Sequence, residues 1–156
     1  MQIKNILVVC IGNICRSPMA EYLLKQQYPQ LNIESAGISG LIGHQADEKA
    51  RLCMERLGID MQPHIAKKLN AELIKKADLI LVMSTNQQKH IEQTWPFAKG
   101  KTYRLGHWQN KNVPDPYQHE QAVFDETCQL IQQCVADWEP YIYALNHVIL
   151  ACVVAS

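Results

Sequence analysis

The chain carries two strongly apolar, β-branched runs: Ile3 to Cys10, which contains Ile6-Leu7-Val8-Val9, and Asp78 to Met83, which contains Leu79-Ile80-Leu81-Val82. Runs without hydrophobic–polar alternation are expected of parallel strands covered on both faces. A shorter strand fits Asn32 to Ala36, stopping at Gly37, and another fits Lys101 to Leu105. Between the strands the period changes. Ala20, Leu23, Leu24 and Tyr28 recur at helical spacing after Pro18, with Ser17 placed as an N-cap and Pro18 as first helical residue. Ala50, Cys53, Met54 and Leu57 form a second stripe closed by Gly58. Asn70 to Ala77 reads as a short helix. Ser84 with Gln87 gives a capping box for a helix reaching Thr94. Phe124, Cys128, Ile131, Val135 and Trp138 mark a long last helix that Pro140 should kink or end. Strand and helix alternate, so the pattern predicts an α/β fold of three layers: a four-stranded parallel sheet with helices on both faces.

The size fits one domain: 156 residues, 47% apolar and 19% charged. Residues 1–146 carry the pattern. Residues 147–156 end in the apolar run Val148 to Ala155, well short of the roughly 20 residues that span a membrane, and are assigned no role. Fifteen basic residues balance fifteen acidic ones, so no overall field favours nucleic acid or an anionic membrane. The six cysteines form no CxxC pair and no zinc-like spacing with histidine, so no metal or cofactor is expected. Cys53 and Cys128 fall on apolar stripes and are expected in the core. A disulfide framework does not suit a chain this long without a secretory signal, and the expected compartment is cytoplasmic.

The candidate chemistry lies after the first strand, in Cys10-Ile11-Gly12-Asn13-Ile14-Cys15-Arg16-Ser17. Ligands of such folds bind beyond the C-terminal ends of the strands. A tight loop there can turn several backbone N–H groups onto an anion, and the following helix N-terminus adds its own. Gly12 and Asn13 suit the dihedrals such a turn demands. Arg16 supplies a planar fork for two phosphate oxygens. The field that holds phosphate also favours a thiolate at Cys10, to which Ser17 can donate. A thiolate facing a phosphate ester can attack in line and form a phosphocysteine, later cleaved by water. Expelling the leaving group takes a proton. Asp115, set between Pro114 and Pro116, is the candidate general acid. Leu41 and Tyr117 are candidate walls of a substrate slot, whereas Ile11 suits slot or core equally. Cys15 could form a reversible disulfide with Cys10, although a buried loop thiol is the plainer reading. The six histidines are expected to be superficial or locally bonded. Trp95, Trp108 and Trp138 are expected to pack, with Trp108 the one that could take a role near the acid loop.

Together Val9 to Glu21, Glu34-Ser35-Ala36-Gly37 and Asp115-Pro116-Tyr117 resemble the low-molecular-weight protein tyrosine phosphatase family. Leu105-Gly106-His107-Trp108 and Ser35 to Gly43 resemble its bacterial branch encoded with capsule and exopolysaccharide systems. The resemblance implies a protein tyrosine phosphatase with Cys10 as nucleophile, Arg16 as phosphate binder and Asp115 as general acid. It implies that Asn13 keeps the loop's shape, that Ser17 supports the thiolate, and that Ser35 packs behind the loop. It also implies a partner: the tyrosine-rich cytoplasmic tail of a membrane tyrosine autokinase that controls polysaccharide export, with phosphate as product. Two other functions bear on the same loop. An arsenate reductase needs two further cysteines after the third strand, and residues 77–100 contain none. A phosphate-binding module needs neither Cys10 nor Asp115.

Overall fold

The computed structural model describes residues 2–154. Four parallel strands, β1 (Asn5–Cys10), β2 (Asn32–Gly37), β3 (Leu79–Val82) and β4 (Thr102–Arg104), form one sheet in the order β2-β1-β3-β4. The helices are α1 (Arg16–Gln27), α2 (Glu48–Glu55), α3 (Ala71–Lys76), α4 (Thr85–Thr94), α5 (Gln121–Asp137) and α6 (Glu139–Val154). The two-residue period of a strand divides β1 between two cores. Ile6, Val8 and Cys10 face a cluster with Met19 and Leu24 of α1, Met54 of α2, and Phe124 and Ile131 of α5. Leu7 and Val9 face the other cluster, with Ile74 of α3 and Ile91 of α4. Three layers result, as the pattern predicts, and Cys10 ends the central β1 on the face covered by α1 and α5.

Local differences from the sequence reading have identifiable causes. Helix α1 starts at Arg16, and its N-cap is Cys15, with no side-chain cap. Ser17 is therefore inside the first turn, and Pro18 occupies a first-turn position where a missing N–H costs no helical bond. Helix α2 ends before Leu57, which is exposed, and Gly58 turns at φ 77°. Ile59 takes the buried place instead and donates its N–H to Met54 O at 2.9 Å. Ser84 caps α4 through the Gln87 N–H, but Gln87 Oε1 accepts from Met83 N at 2.8 Å, so only half the capping box forms. Helix α5 carries its predicted buried stripe and stops at Asp137, and Pro140 lies in the first turn of a new helix, α6. The backbone of α6 continues through residue 146 to Val154. Whether the tail packs on the domain concerns side chains 148–156, which lie outside the described ones. Among the described residues no helix is long and apolar enough to cross a membrane.

Candidate active site

Residues 11–15 leave β1 and wrap around the N-terminus of α1. Apart from Asn13, whose N–H reaches Cys10 Sγ at 3.3 Å, the backbone N–H groups from Ile11 to Ser17 make no hydrogen bond with another described residue. Free N–H groups at a helix start form an anion cradle. The mouth is a cavity of about 230 Å³ lined by Cys10, Ile11, Gly12, Ile14, Cys15, Arg16, Ser39, Gly40, Leu41, Asp115 and Tyr117. Ile11 is exposed rather than in the core, and Leu41 and Tyr117 line the same cavity.

Asn13 and Ser17 are fully buried behind this cavity, so their side chains are not in its lining. Asn13 adopts φ 57° and is held from several sides. Its Nδ2 donates to Ser17 Oγ at 2.9 Å and Ser35 Oγ at 2.8 Å, and its Oδ1 accepts from Lys67 N at 3.0 Å. His64 Nε2 lies 2.7 Å from Asn13 O, so this nitrogen carries the proton. Both serine oxygens accept from Asn13; Ser35 gives its own hydrogen to Glu21 Oε1, and Ser17 Oγ lies 2.8 Å from Cys10 Sγ. Asn13 N and Ser17 Oγ both lie within hydrogen-bond reach of the Cys10 sulfur.

His64 and Glu21 are the parts that sequence reading missed. His64 is expected at the surface or bonded locally, but it is buried and supports a residue 51 positions away. Its Nδ1 stands 4.0 Å from the buried Glu21 carboxylate, which Lys25 also pairs at 2.6 Å. No local signal marks His64. Glu21 falls in the quoted motif, but its carboxylate reaches the cradle indirectly, through Ser35 and beside His64.

Arg16 is buried and bridges two loops. Its Nη1 donates to Val113 O at 3.0 Å, and Nη2 is 3.5 Å from Asp115 Oδ2. Val113 N in turn donates to Met83 O at 2.8 Å, beyond the end of β3. The loop bearing Asp115 is therefore registered to the sheet on one side and to the cradle on the other. Asp115 Oδ1 accepts from Tyr117 N at 3.1 Å, and half of its side chain remains accessible. At Cys15, burial, then the nearby Asp47, pushes the thiol far above the ordinary range. Cys53, Cys128 and Cys134 are buried elsewhere and do not line the cavity. Of the tryptophans, Trp138 is fully buried with Nε1 donating to Leu105 O at 2.8 Å, whereas Trp108 is half exposed against Trp138 and outside the cavity.

Residues 5–146 match the family described as low molecular weight phosphotyrosine protein phosphatase. The chain belongs to this family. It is accordingly an enzyme, a hydrolase of the phosphatase class. The low molecular weight protein-tyrosine-phosphatase Ptp of Acinetobacter johnsonii is 83% identical over 142 residues, 91% of this chain and 100% of that one. The probable low molecular weight protein-tyrosine-phosphatase EpsP of Ralstonia solanacearum is 45% identical over 92% of this chain and 99% of its own. Among solved structures, the tyrosine phosphatase Wzb of Escherichia coli K30 in complex with sulphate superposes with a TM-score of 0.87 at 38% identity, over 90% of this chain and 99% of that one. The YwlE arginine phosphatase of Geobacillus stearothermophilus superposes with a TM-score of 0.84 at 29% identity, over 92% of this chain and 96% of that one. The bacterial branch and the fold anticipated from the sequence are those of the relatives.

Proposed function

We propose that this protein hydrolyses phosphotyrosine in proteins through a phosphocysteine on Cys10. The observation that carries this is one cavity holding Cys10, Arg16 and Asp115 together, with Ser17 Oγ 2.8 Å from the sulfur behind it. The cradle N–H groups and Arg16 bind the three non-bridging oxygens of the phosphoryl group. The Cys10 thiolate attacks phosphorus opposite the ester oxygen. The S–P bond forms as the P–O bond breaks, and Asp115 gives its proton to the departing phenolate. Asp115, now a carboxylate, takes a proton from water, which cleaves the S–P bond and releases phosphate and the thiolate. Arg16 and the free N–H groups stabilise charge on the equatorial oxygens in both steps. Every step uses groups of this chain, without metal or cofactor.

A slot walled by Ile11, Leu41 and Tyr117 suits an aryl ring. A relative in fold is named an arginine phosphatase, so phosphoarginine is the competing substrate. The apolar walls and the relative 83% identical over its whole length favour tyrosine. The relatives named EpsP, AmsI and Wzb support the finer reading. On it, residues 1–146 act in the cytoplasm on the tyrosine-rich tail of a membrane autokinase that controls capsule or exopolysaccharide export, and the role of 147–156 lies outside that activity.

The test is hydrolysis of p-nitrophenyl phosphate, a phosphotyrosine peptide and a phosphoarginine peptide by three forms. Cys10→Ser is expected to abolish turnover of all substrates. Asp115→Ala should slow phosphotyrosine roughly 10²–10⁴-fold and p-nitrophenyl phosphate less in the first step, because that leaving group needs little protonation. Full activity in Cys10→Ser, or preference for phosphoarginine, contradicts the reading.

A further inference from the structure

We infer that Asn112 is a positioning residue for the general acid: its side chain ties the loop carrying Asp115 to the first turn of α4 and to the end of β4. The inference rests on the reading of Asp115 as the acid and adds the residue that aims it.

Asp115 is held loosely by its own contacts. Arg16 Nη2 is 3.5 Å away, Tyr117 N is 3.1 Å away, and 47% of the side chain is accessible. Where the carboxyl stands is therefore set by the backbone leading into it. That backbone is stiff: Pro114 fixes its own φ and restricts Val113 before it. A direction given at residues 112–113 is thus passed on to residue 115. At Val113 the N–H bonds to Met83 O at 2.8 Å. The Val113 carbonyl adds only Arg16, a side chain that the bound phosphate also claims. A loop tethered at one main-chain point can pivot about it. The Asn112 side chain supplies the second, adjacent tether.

Three donors converge on Asn112 Oδ1: Thr85 N at 3.2 Å, Thr85 Oγ1 at 3.4 Å and Arg104 Nη1 at 3.1 Å. Such a set requires the amide oxygen, not the nitrogen, to face it. Thr85 is the first residue of α4, so its N–H is one that the helix itself leaves without a partner. Arg104 is the last residue of β4, and its Nη2 donates to Asn110 Oδ1 at 2.7 Å. It takes part in none of the ion pairs of the described residues, so its guanidinium is committed to these two amide oxygens. The chain returns to Arg104 through a tight loop: Lys111 N donates to Gly106 O at 3.0 Å, and a Cβ on Gly106 would strike Lys111 O. Asn112, Thr85 and Arg104 are all outside the lining of the cavity, so Asn112 acts on the chemistry through Asp115.

The experiment measures kcat/KM for phenyl phosphate and p-nitrophenyl phosphate on the same preparations of the full chain, Asn112→Ala, Asn112→Asp and Asp115→Ala. This quantity counts the steps up to departure of the leaving group; phenolate needs the acid, whereas p-nitrophenolate leaves with little protonation. The ratio between the two substrates does not depend on how much of a preparation is folded. Asn112→Ala should lower the phenyl phosphate value about tenfold, short of the roughly 10²-fold that a displacement of ångström scale can cost, and the p-nitrophenyl phosphate value less than about threefold. Asn112→Asp keeps an oxygen for Thr85 N and Arg104 and should restore the ratio of the unmodified chain. An unchanged ratio in Asn112→Ala, or an Asn112→Asp protein that behaves like Asn112→Ala, overturns the proposal. If Asp115→Ala changes the ratio and Asn112→Ala does not, the acid reading stands and only the proposal falls. If Asp115→Ala also leaves the ratio unchanged, the acid reading itself falls and takes the proposal with it.

Discussion

At the scale of single residues, the site depends on where a few hydrogens point. Asn13 uses both Nδ2 hydrogens on serine oxygens, which holds Ser17 Oγ 2.8 Å from the Cys10 sulfur. His64 completes the clamp by holding Asn13 O at 2.7 Å. It is a positioning residue and does not line the cavity. His64→Ala should lower kcat well beyond its effect on KM and cost about 1–3 kcal/mol of stability through the carbonyl left without a donor. His64→Gln, which keeps an N–H donor, should recover part of kcat, and steady-state kinetics with urea unfolding measure both. Equal loss in the two variants would mean that His64 only fills space. Cys10 and Arg16 were legible as candidates from one short motif, and Asp115 became one only in combination with it, as an acid between two prolines. His64 was not, because its partner lies 51 residues away and nothing in the local sequence refers to it.

At the scale of elements, the strand ends decide where the loops can stand. Gly37 ends β2 directly beside the cradle. A Cβ there would lie 2.6 Å from Ile11 O and 3.1 Å from Asn13 N, both backbone atoms that cannot move without opening the loop. Gly37→Ala is therefore expected to lower kcat/KM by about 10²-fold, as a displacement of ångström scale can, with a stability loss of roughly 1–3 kcal/mol. An alanine variant with normal kinetics would show that the cradle tolerates the shift. The strands and the stripe of α5 were legible from period alone, because burial on one or two faces writes a repeat into the sequence. Helix boundaries were less so. The start of α1 moved from Pro18 to Arg16 because N–H groups left for an anion replace a side-chain cap, and the break between α5 and α6 precedes Pro140 because proline suits a helix's first turn.

At the scale of the whole molecule, burial raises the thiols of Cys15, Cys53, Cys128 and Cys134 above the ordinary range. Burial, then its hydrogen bond to Asp125, pushes the Cys53 thiol up to about 12 from an ordinary 9.0. Burial also raises Cys134 to about 11. In the unfolded chain these thiols ionise near pH 9, while in the folded protein they stay protonated until higher pH. Folding stability from this source is thus intact below about pH 9 and is lost as pH rises from there through about 12. Thermal midpoints should fall above pH 9, and more gently in Cys53→Ala than in the unmodified protein. Identical slopes would mean that Cys53 does not titrate differently in the two states. Among the described residues, a cavity at the edge of the sheet where the α/β pattern places ligands brings Cys10, Arg16 and Asp115 together.

The most direct test of the central claim is to identify the covalent intermediate. Asp115→Ala, mixed with p-nitrophenyl phosphate and quenched in acid, should accumulate a protein carrying one phosphoryl group, because the variant can form the S–P bond but lacks the base that activates water. Peptide mass spectrometry is expected to place that group on Cys10. A phosphoryl group on any other residue, or turnover by the Cys10→Ser protein, would contradict the account.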